Sequence, residues 1–148
     1  MPNRRQALST IATALSALAA GNSLSLSEEP APASASKVTK LLQKDLPADA
    51  NEEVTVVTVD YAPGAGSEAH RHPGPVIGYV LEGEVEIEVD SKEAKDGTPL
   101  KTFHAGEIFF EPQGAVHKVS RNASKTKPAR ILAFVVGKKG TPLVSPAK

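Results

Sequence analysis

From residue 54 onward, hydrophobic and polar positions alternate with the period of two that is typical of β-strands. The clearest case is Glu84–Val89, where Val85, Ile87 and Val89 share one face and three glutamates share the other. This pattern predicts a strand with one buried and one solvated face. Segments dense in β-branched and aromatic residues predict further strands at 54–59, 76–81, 108–110, 117–119 and 131–136.

The rest of the pattern predicts an all-β fold. No segment between these strands has the helical period, and twelve prolines with eleven glycines indicate short elements joined by tight turns. Many short strands favour an antiparallel sandwich or barrel. A chain of 148 residues is long enough to bury one core, so we expect a single folded domain.

The N-terminus has a different character. Arg4 and Arg5 precede an uncharged, moderately apolar stretch over 7–20, which is the layout of a secretory signal peptide that we assign to 1–21. Paired arginines before a weakly hydrophobic run are also typical of twin-arginine export signals. A mitochondrial presequence is less favoured because two arginines give little amphipathic stripe, and an ordinary N-terminal helix is the remaining alternative. The run is too short and too rich in Ser and Thr for a membrane anchor.

We divide the remaining chain into three parts. Residues 22–45 are expected to be a linker and lead-in segment, since 23–36 is poor in large apolar side chains. Within the lead-in, Val38, Leu41 and Leu42 could share a helical or irregular face. The β-barrel domain is expected over 46–140 and a C-terminal tail over 141–148.

Charge and cysteine content exclude several functions. Seventeen basic residues balance seventeen acidic residues, so no net charge attracts nucleic acid or an anionic membrane. Neither partner is expected. With no cysteine, the chain has no disulfide, no thiolate nucleophile and no thiolate metal ligand.

Three histidines are the strongest functional signal. In His70-Arg71-His72, residues i and i+2 present both imidazoles to one point if the segment is extended. His117 follows a later turn marked by glycine and proline and could supply a third nitrogen. Neutral imidazole binds Fe, Mn, Ni, Cu and Zn, so the trio is a candidate metal site. Taken alone, the His70 and His72 pair in a loop rich in proline and glycine favours simple solvation over metal binding.

With its neighbours, this trio resembles the two motifs of the cupin superfamily. The first motif combines a glycine, His-x-His, a glutamate and a closing glycine, and this chain reads PGAGSEAHRHPGPV over 63–76, closing at Gly83. The second motif is matched by Gly106, Pro112, Gly114 and His117, with Asn122 one place beyond the usual asparagine. The resemblance spans about 54–136 and implies a cupin double-stranded β-helix, a jelly-roll-like barrel.

One position departs from the first motif. Val76 stands where the resemblance places the glutamate ligand. Three alternatives follow: a centre of three histidines, a carboxylate supplied from elsewhere, or a barrel that has lost its metal. Glu111, beside Pro112, is the main substitute, although it could be an exposed strand-end carboxylate. Glu68 shares the face of His70 if that strand already runs there, and His104 is expected to be a turn or surface histidine.

The resemblance also implies a function. The leading hypothesis is a divalent metal held by His70, His72 and His117, with Glu111 as the further candidate ligand, in an oxidoreductase of the dioxygenase kind acting on a small molecule. Iron is the first choice, with Mn, Ni, Cu and Zn open. The alternatives are a non-catalytic, metal-free binder of small molecules and a metal-independent isomerase with His117 or Glu111 as general base. Cupins commonly pair through their sheets, so a homodimer is implied.

Some motif residues are expected to serve the fold. Gly83 and Gly114 suit turns in which a side chain would be strained. Gly78, inside a predicted strand, indicates close approach of another group, for which packing is the favoured explanation. Asn122-Ala123-Ser124 matches the N-glycosylation pattern, but the resemblance assigns Asn122 to the second motif instead.

Overall fold

The computed structural model describes residues 36–47, 49–90 and 98–147, and these residues form strands and turns with no helix. The all-β prediction is therefore confirmed for this part of the chain. Its strands are β1 (Ser36–Leu46), β2 (Asp49–Tyr61), β3 (Gly66–Ser67), β4 (His70–Arg71), β5 (Val76–Glu82), β6 (Glu84–Val89), β7 (Lys101–His104), β8 (Ile108–Glu111), β9 (Val116–Asn122), β10 (Ala129–Lys138) and β11 (Ser145–Pro146).

The strands form two antiparallel sheets. One has five strands in the order β1-β2-β10-β5-β8, and the other has the order β11-β4-β9-β6-β7, with β3 also paired to β9. Apart from β1 with β2 and β6 with β7, neighbouring strands are not consecutive in sequence, as in jelly-roll folds in which the chain crosses repeatedly between two sheets. The inner faces of both sheets contribute to one buried cluster, in which the rings of Phe103 (β7) and Phe109 (β8) lie 5.5 Å apart.

The β6 strand shows how the sequence pattern determines which face is buried. Val85, Ile87 and Val89 are buried, whereas the glutamates between them lie on the outer face. Two of these glutamates form ion pairs with β9 across the sheet, Glu86 with Arg121 and Glu88 with Lys118. The predicted strand with one wet face is confirmed, and its three carboxylates belong to the surface.

Two glycines have clear structural roles. Gly83 has a φ of +74°, and a Cβ there would lie 2.6 Å from the carbonyl oxygen of Pro128, so both conformation and space favour glycine. Gly78 is paired with Phe109 on the adjacent strand, and a Cβ at Gly78 would lie 2.1 Å from the Phe109 ring. The close approach expected at Gly78 is therefore a packing contact.

The structure differs from our expectations at both ends of the barrel. The helical or irregular lead-in is wrong for 36–46, because this segment is the strand β1, paired with β2 from Ser36↔Tyr61 to Leu46↔Asp49. Backbone pairing with a long β-branched neighbour outweighs the weak local pattern. In the expected tail, β11 pairs with β4. The signal peptide and the linker over 22–35 lie outside the described residues, and the domain boundaries stay predictions.

Candidate metal site

Strand pairing brings the three histidines together. His70 on β4 is the direct partner of His117 on β9, and His72 follows one residue after β4. Directly opposed residues of antiparallel strands point to the same face. The ring centroid of His70 lies 4.8 Å from that of His72 and 4.9 Å from that of His117. The centroids of His72 and His117 lie 6.1 Å apart. The predicted convergence of the three imidazoles is therefore observed.

Backbone carbonyl groups orient two of the rings. His70 Nδ1 lies 2.7 Å from the carbonyl oxygen of Glu68, and His72 Nδ1 lies 2.8 Å from that of Leu143. A carbonyl only accepts, so each Nδ1 donates its hydrogen and each neutral ring keeps a lone pair on Nε2. The two Nε2 atoms face each other at 3.2 Å. In neutral rings of this tautomer both atoms are acceptors, so either a shared proton or a metal ion bound to both would stabilise the contact.

His117 is the most deeply buried of the three. Its side chain is 3% exposed, and neither ring nitrogen has a hydrogen-bond partner among the described residues. His117 Nδ1 lies 2.9 Å from Glu111 Oε2, but this contact does not have hydrogen-bond geometry. We therefore treat it as proximity of the two groups rather than as a formed hydrogen bond. Buried polar atoms without partners are rare. A metal ion bound here would give a partner to a ring nitrogen of His117.

Glu111 lies on the opposite sheet, beside two of the three histidines. It ends β8, is 4% exposed, and its Oε2 lies 3.4 Å from His72 Nε2. The alternative of an exposed strand-end carboxylate is therefore wrong. Glu111 is the direct cross-strand partner of Val76, the position at which the first motif lacks its glutamate. Because directly paired side chains share a face, a carboxylate at either position reaches the same part of the interior.

The cluster has the chemistry of a metal site. One donor atom from each of His70, His72 and His117 can be chosen so that all lie within 4.8 Å of one another. Two ligands of one transition metal span at most roughly 4.2 Å, so small side-chain rotations would suffice. Burial lowers the pKa of His70, the largest of several effects on it, which favours the neutral form that binds metal. The residues present therefore fit a divalent ion.

A chamber of about 380 Å³ opens beside the histidines. Among the lining residues, the Tyr61 hydroxyl and Ser120 Oγ lie 2.7 Å apart and hydrogen-bond to each other, both side chains being buried. Burial raises the pKa of Tyr61 to about 12, with the negative charge of Glu111 adding to the effect and the Ser120 hydrogen bond opposing it. Both hydroxyls therefore stay protonated at neutral pH and are available as polar groups in the chamber wall.

Other candidate residues lie outside the cluster. His104, at the exposed end of β7, is a surface histidine as expected, and its backbone N–H donates to Glu107. Glu68 falls between β3 and β4 and is exposed, so its side chain does not share a strand face with His70. Asn122 is buried, and its amide bonds to three backbone groups, of Ala62, Ser124 and Lys127. This amide serves the fold, consistent with its assignment to the second motif.

Sequence analysis missed Tyr61, Ser120 and Leu143. The first could have been found, because Val57, Val59 and Tyr61 follow one another with the period of a strand face. Ser120 and the carbonyl group of Leu143 carry no such signal. Their roles depend on how distant strands pair.

Comparisons with known proteins agree with this architecture. The family model described as "Cupin domain" matches residues 57–135. A germin-like protein (subfamily 2 member 2) of Arabidopsis thaliana is 38% identical over 81 residues, which are 54% of this chain and 35% of the plant protein. An oxalate oxidase of Triticum aestivum is 31% identical over 101 residues, which are 67% of this chain and 45% of that protein. The chain thus spans less than half the length of these curated relatives.

A solved structure gives the same picture. An oxalate oxidase in complex with the substrate analogue glycolate matches with a TM-score of 0.58 at 27% identity, covering 78% of this chain and 56% of that chain. As for membrane insertion, the described residues contain no helix of the length and apolarity that a transmembrane span requires.

Proposed function

We propose that this chain, which belongs to the cupin family, holds a divalent metal ion through His70, His72, His117 and Glu111 and acts as an oxidoreductase on a small molecule. One observation carries the metal: the Nε2 atoms of His70 and His72 face each other at 3.2 Å while both Nδ1 atoms are engaged by carbonyl groups. Carbonyl groups on the distal nitrogen are the usual means of orienting a ligating imidazole.

Glu111 is proposed as the relocated carboxylate ligand. The usual glutamate position is Val76 on β5, and its direct partner across the sheet is Glu111 on β8. The Glu111 carboxylate contacts two of the three imidazoles from this neighbouring strand. A set of three histidines and one carboxylate suits iron, our first choice, and also manganese, with nickel, copper and zinc as further candidates.

The proposed chemistry is redox chemistry of the dioxygenase kind. A bound divalent ion would polarise and orient an oxygen-bearing substrate. The chain itself orients the imidazoles, places the Glu111 carboxylate beside them, and lines the adjoining chamber largely with aliphatic residues. Support for an oxidoreductase comes from two oxalate oxidases. The match covers 45% of one protein and 56% of the other.

Metal analysis of untagged protein tests this proposal. We expect about one metal ion per chain by inductively coupled plasma mass spectrometry, and loss of that metal in His70→Ala and His117→Ala. His104→Ala is the matched control, because this histidine is exposed and outside the cluster, and it should keep the metal. A folded wild-type protein that takes up no metal under anaerobic loading with Fe²⁺ would refute the proposal and favour a metal-free binding protein.

We further propose that the chain forms a homodimer. The outer face of the β10-β5-β8 sheet carries two apolar rows defined by the register pairs Phe134↔Ile77↔Phe110 and Leu132↔Tyr79↔Ile108. Five of these six side chains are exposed. A contiguous exposed apolar face of this kind is typical of an association surface. A net charge of zero means that a second copy is not repelled.

Export through a twin-arginine signal is also a proposal. It rests on Arg4, Arg5 and the apolar run that follows them in the sequence. N-terminal sequencing of the mature protein should find a start close to residue 22. A mature chain that begins at Met1 would contradict export with cleavage.

A further inference from the structure

The chamber wall is the most informative feature beyond the metal site. The strands β2, β10 and β5 contribute an aliphatic wall, where register pairs place Val57 beside Ala133, Val59 beside Ile131, and Val135 beside Val76. All six of these side chains line the chamber. The body of any bound molecule would therefore lie against aliphatic groups.

The main polar cluster of the chamber is formed by the three imidazoles and the Glu111 carboxylate. The hydroxyl pair of Tyr61 and Ser120 and the side chains of Ser36, Ser67, Glu68 and Ser145 also line the chamber. Among the described residues that line the chamber, the charged side chains are the two carboxylates Glu68 and Glu111, and none is lysine or arginine. A ligand bound at the histidines would thus also contact aliphatic side chains and would find no cationic side chain in the wall.

Charge balance limits what this chamber accepts. A divalent ion with the Glu111 carboxylate and three neutral histidines carries a net charge of plus one. One negative charge on a ligand neutralises this centre, whereas a second would be buried against an aliphatic wall and a second carboxylate without a cationic partner. Burial of an unpaired charge is strongly unfavourable.

We infer that the substrate has an oxygen-bearing head with at most one negative charge, facing the histidines, and an uncharged apolar body, rather than being a compact dianion such as oxalate. This inference rests on the proposed function, since the head is assigned to the metal. It separates this chain from the oxalate oxidases to which it is similar.

A series of 2-oxo acids isolates the contribution of the body, because the head is constant. We would measure dissociation constants by isothermal titration calorimetry on wild-type protein for pyruvate, 2-oxobutanoate, 2-oxopentanoate and 2-oxohexanoate. Each added methylene should tighten binding by about fourfold. The matched dianion is 2-oxoglutarate, compared with 5-methyl-2-oxohexanoate, in which an isopropyl group replaces the distal carboxylate. The dianion should bind at least tenfold more weakly.

Two results would overturn the inference: affinity that does not change with chain length, or a dianion that binds as tightly as its apolar counterpart. Comparison of metal-loaded and metal-free protein distinguishes the two proposals. If pyruvate binding is independent of metal, the proposed function fails, whereas the dependence on body length still tests the chamber. If metal strengthens pyruvate binding but body length has no effect, only the inference fails.

Variants in the wall give a second test. Ala133 is buried on the chamber side of β10, and its neighbour Phe134 points to the outer face. Ala133→Leu fills part of the chamber and should weaken 2-oxohexanoate binding more than pyruvate binding, with Ala133→Val as the smaller change should the first variant misfold. Lys138→Leu, at an exposed residue of β10 outside the chamber lining, is the matched control and should leave both affinities unchanged. Equal effects on both ligands in the Ala133 variants would refute the assignment.

Discussion

The wild-type protein should lose stability at alkaline pH because of Tyr61, and the Tyr61→Phe variant should not show this loss. Burial raises the pKa of Tyr61 from 10.0 to about 12. The unfolded chain therefore releases this proton near its ordinary pKa, while the folded chain holds it for about two further units. Stability is intact below pH 10 and is lost as pH rises through about 12. A pKa difference of two units lowers the free energy of unfolding by about 2.7 kcal/mol, at about 1.36 kcal/mol per unit.

Urea unfolding between pH 8 and pH 12 measures this effect. At pH 8 the Tyr61→Phe variant should be less stable than wild type by about 1 kcal/mol, because Ser120 loses its hydrogen-bond partner. As pH approaches 12 the difference in stability should shrink and then reverse. Only the wild type has the buried Tyr61 hydroxyl, whose ionisation in the unfolded chain favours unfolding. Tyr79→Phe, at a half-exposed tyrosine on the outer face of β5, is the matched control and should keep the wild-type pH dependence. Parallel pH curves for wild type and Tyr61→Phe would refute the reasoning.

Two further predictions concern packing and assembly. Gly78→Ala should lower the free energy of unfolding by about 1–3 kcal/mol, measured by thermal denaturation, because the new Cβ would lie 2.1 Å from the Phe109 ring; an unchanged midpoint would contradict the packing assignment. Phe110→Lys should convert the dimer to a monomer in analytical ultracentrifugation, whereas Val38→Lys, at another exposed apolar residue, should leave the dimer intact. Dissociation by Val38→Lys alone would place the interface at β1 instead.

Local periodicity was sufficient to predict the strands with one buried face. The alternation of valine, isoleucine and glutamate in β6 determines which side chains are buried, and the structure agrees residue by residue. The spacing of His70 and His72 similarly predicted that both rings point to one place, although His70 lies on the two-residue strand β4 and His72 follows it. In both cases neighbours along the chain carry the information.

Features that depend on distant pairing could not be predicted. β1 is exposed along most of its length, so its own side chains give little burial pattern, and it is a strand because β2 offers a partner. The sequence raised Glu111 as a substitute ligand only through its position beside Pro112. Its pairing with Val76 depends on the register between β5 and β8, which no local pattern determines. The carbonyl group that orients His72 comes from Leu143, 71 positions away.

The most direct test of the relocated ligand is the metal dissociation constant of three proteins: wild type, Glu111→Val, and the double variant Val76→Glu/Glu111→Val. Competition with a chelator of known affinity gives each value, and circular dichroism confirms folding. Loss of the carboxylate should weaken binding by at least tenfold, and its return on the neighbouring strand should recover most of that loss. Equal affinity in wild type and Glu111→Val, or a folded double variant that binds no better than Glu111→Val, would contradict the account.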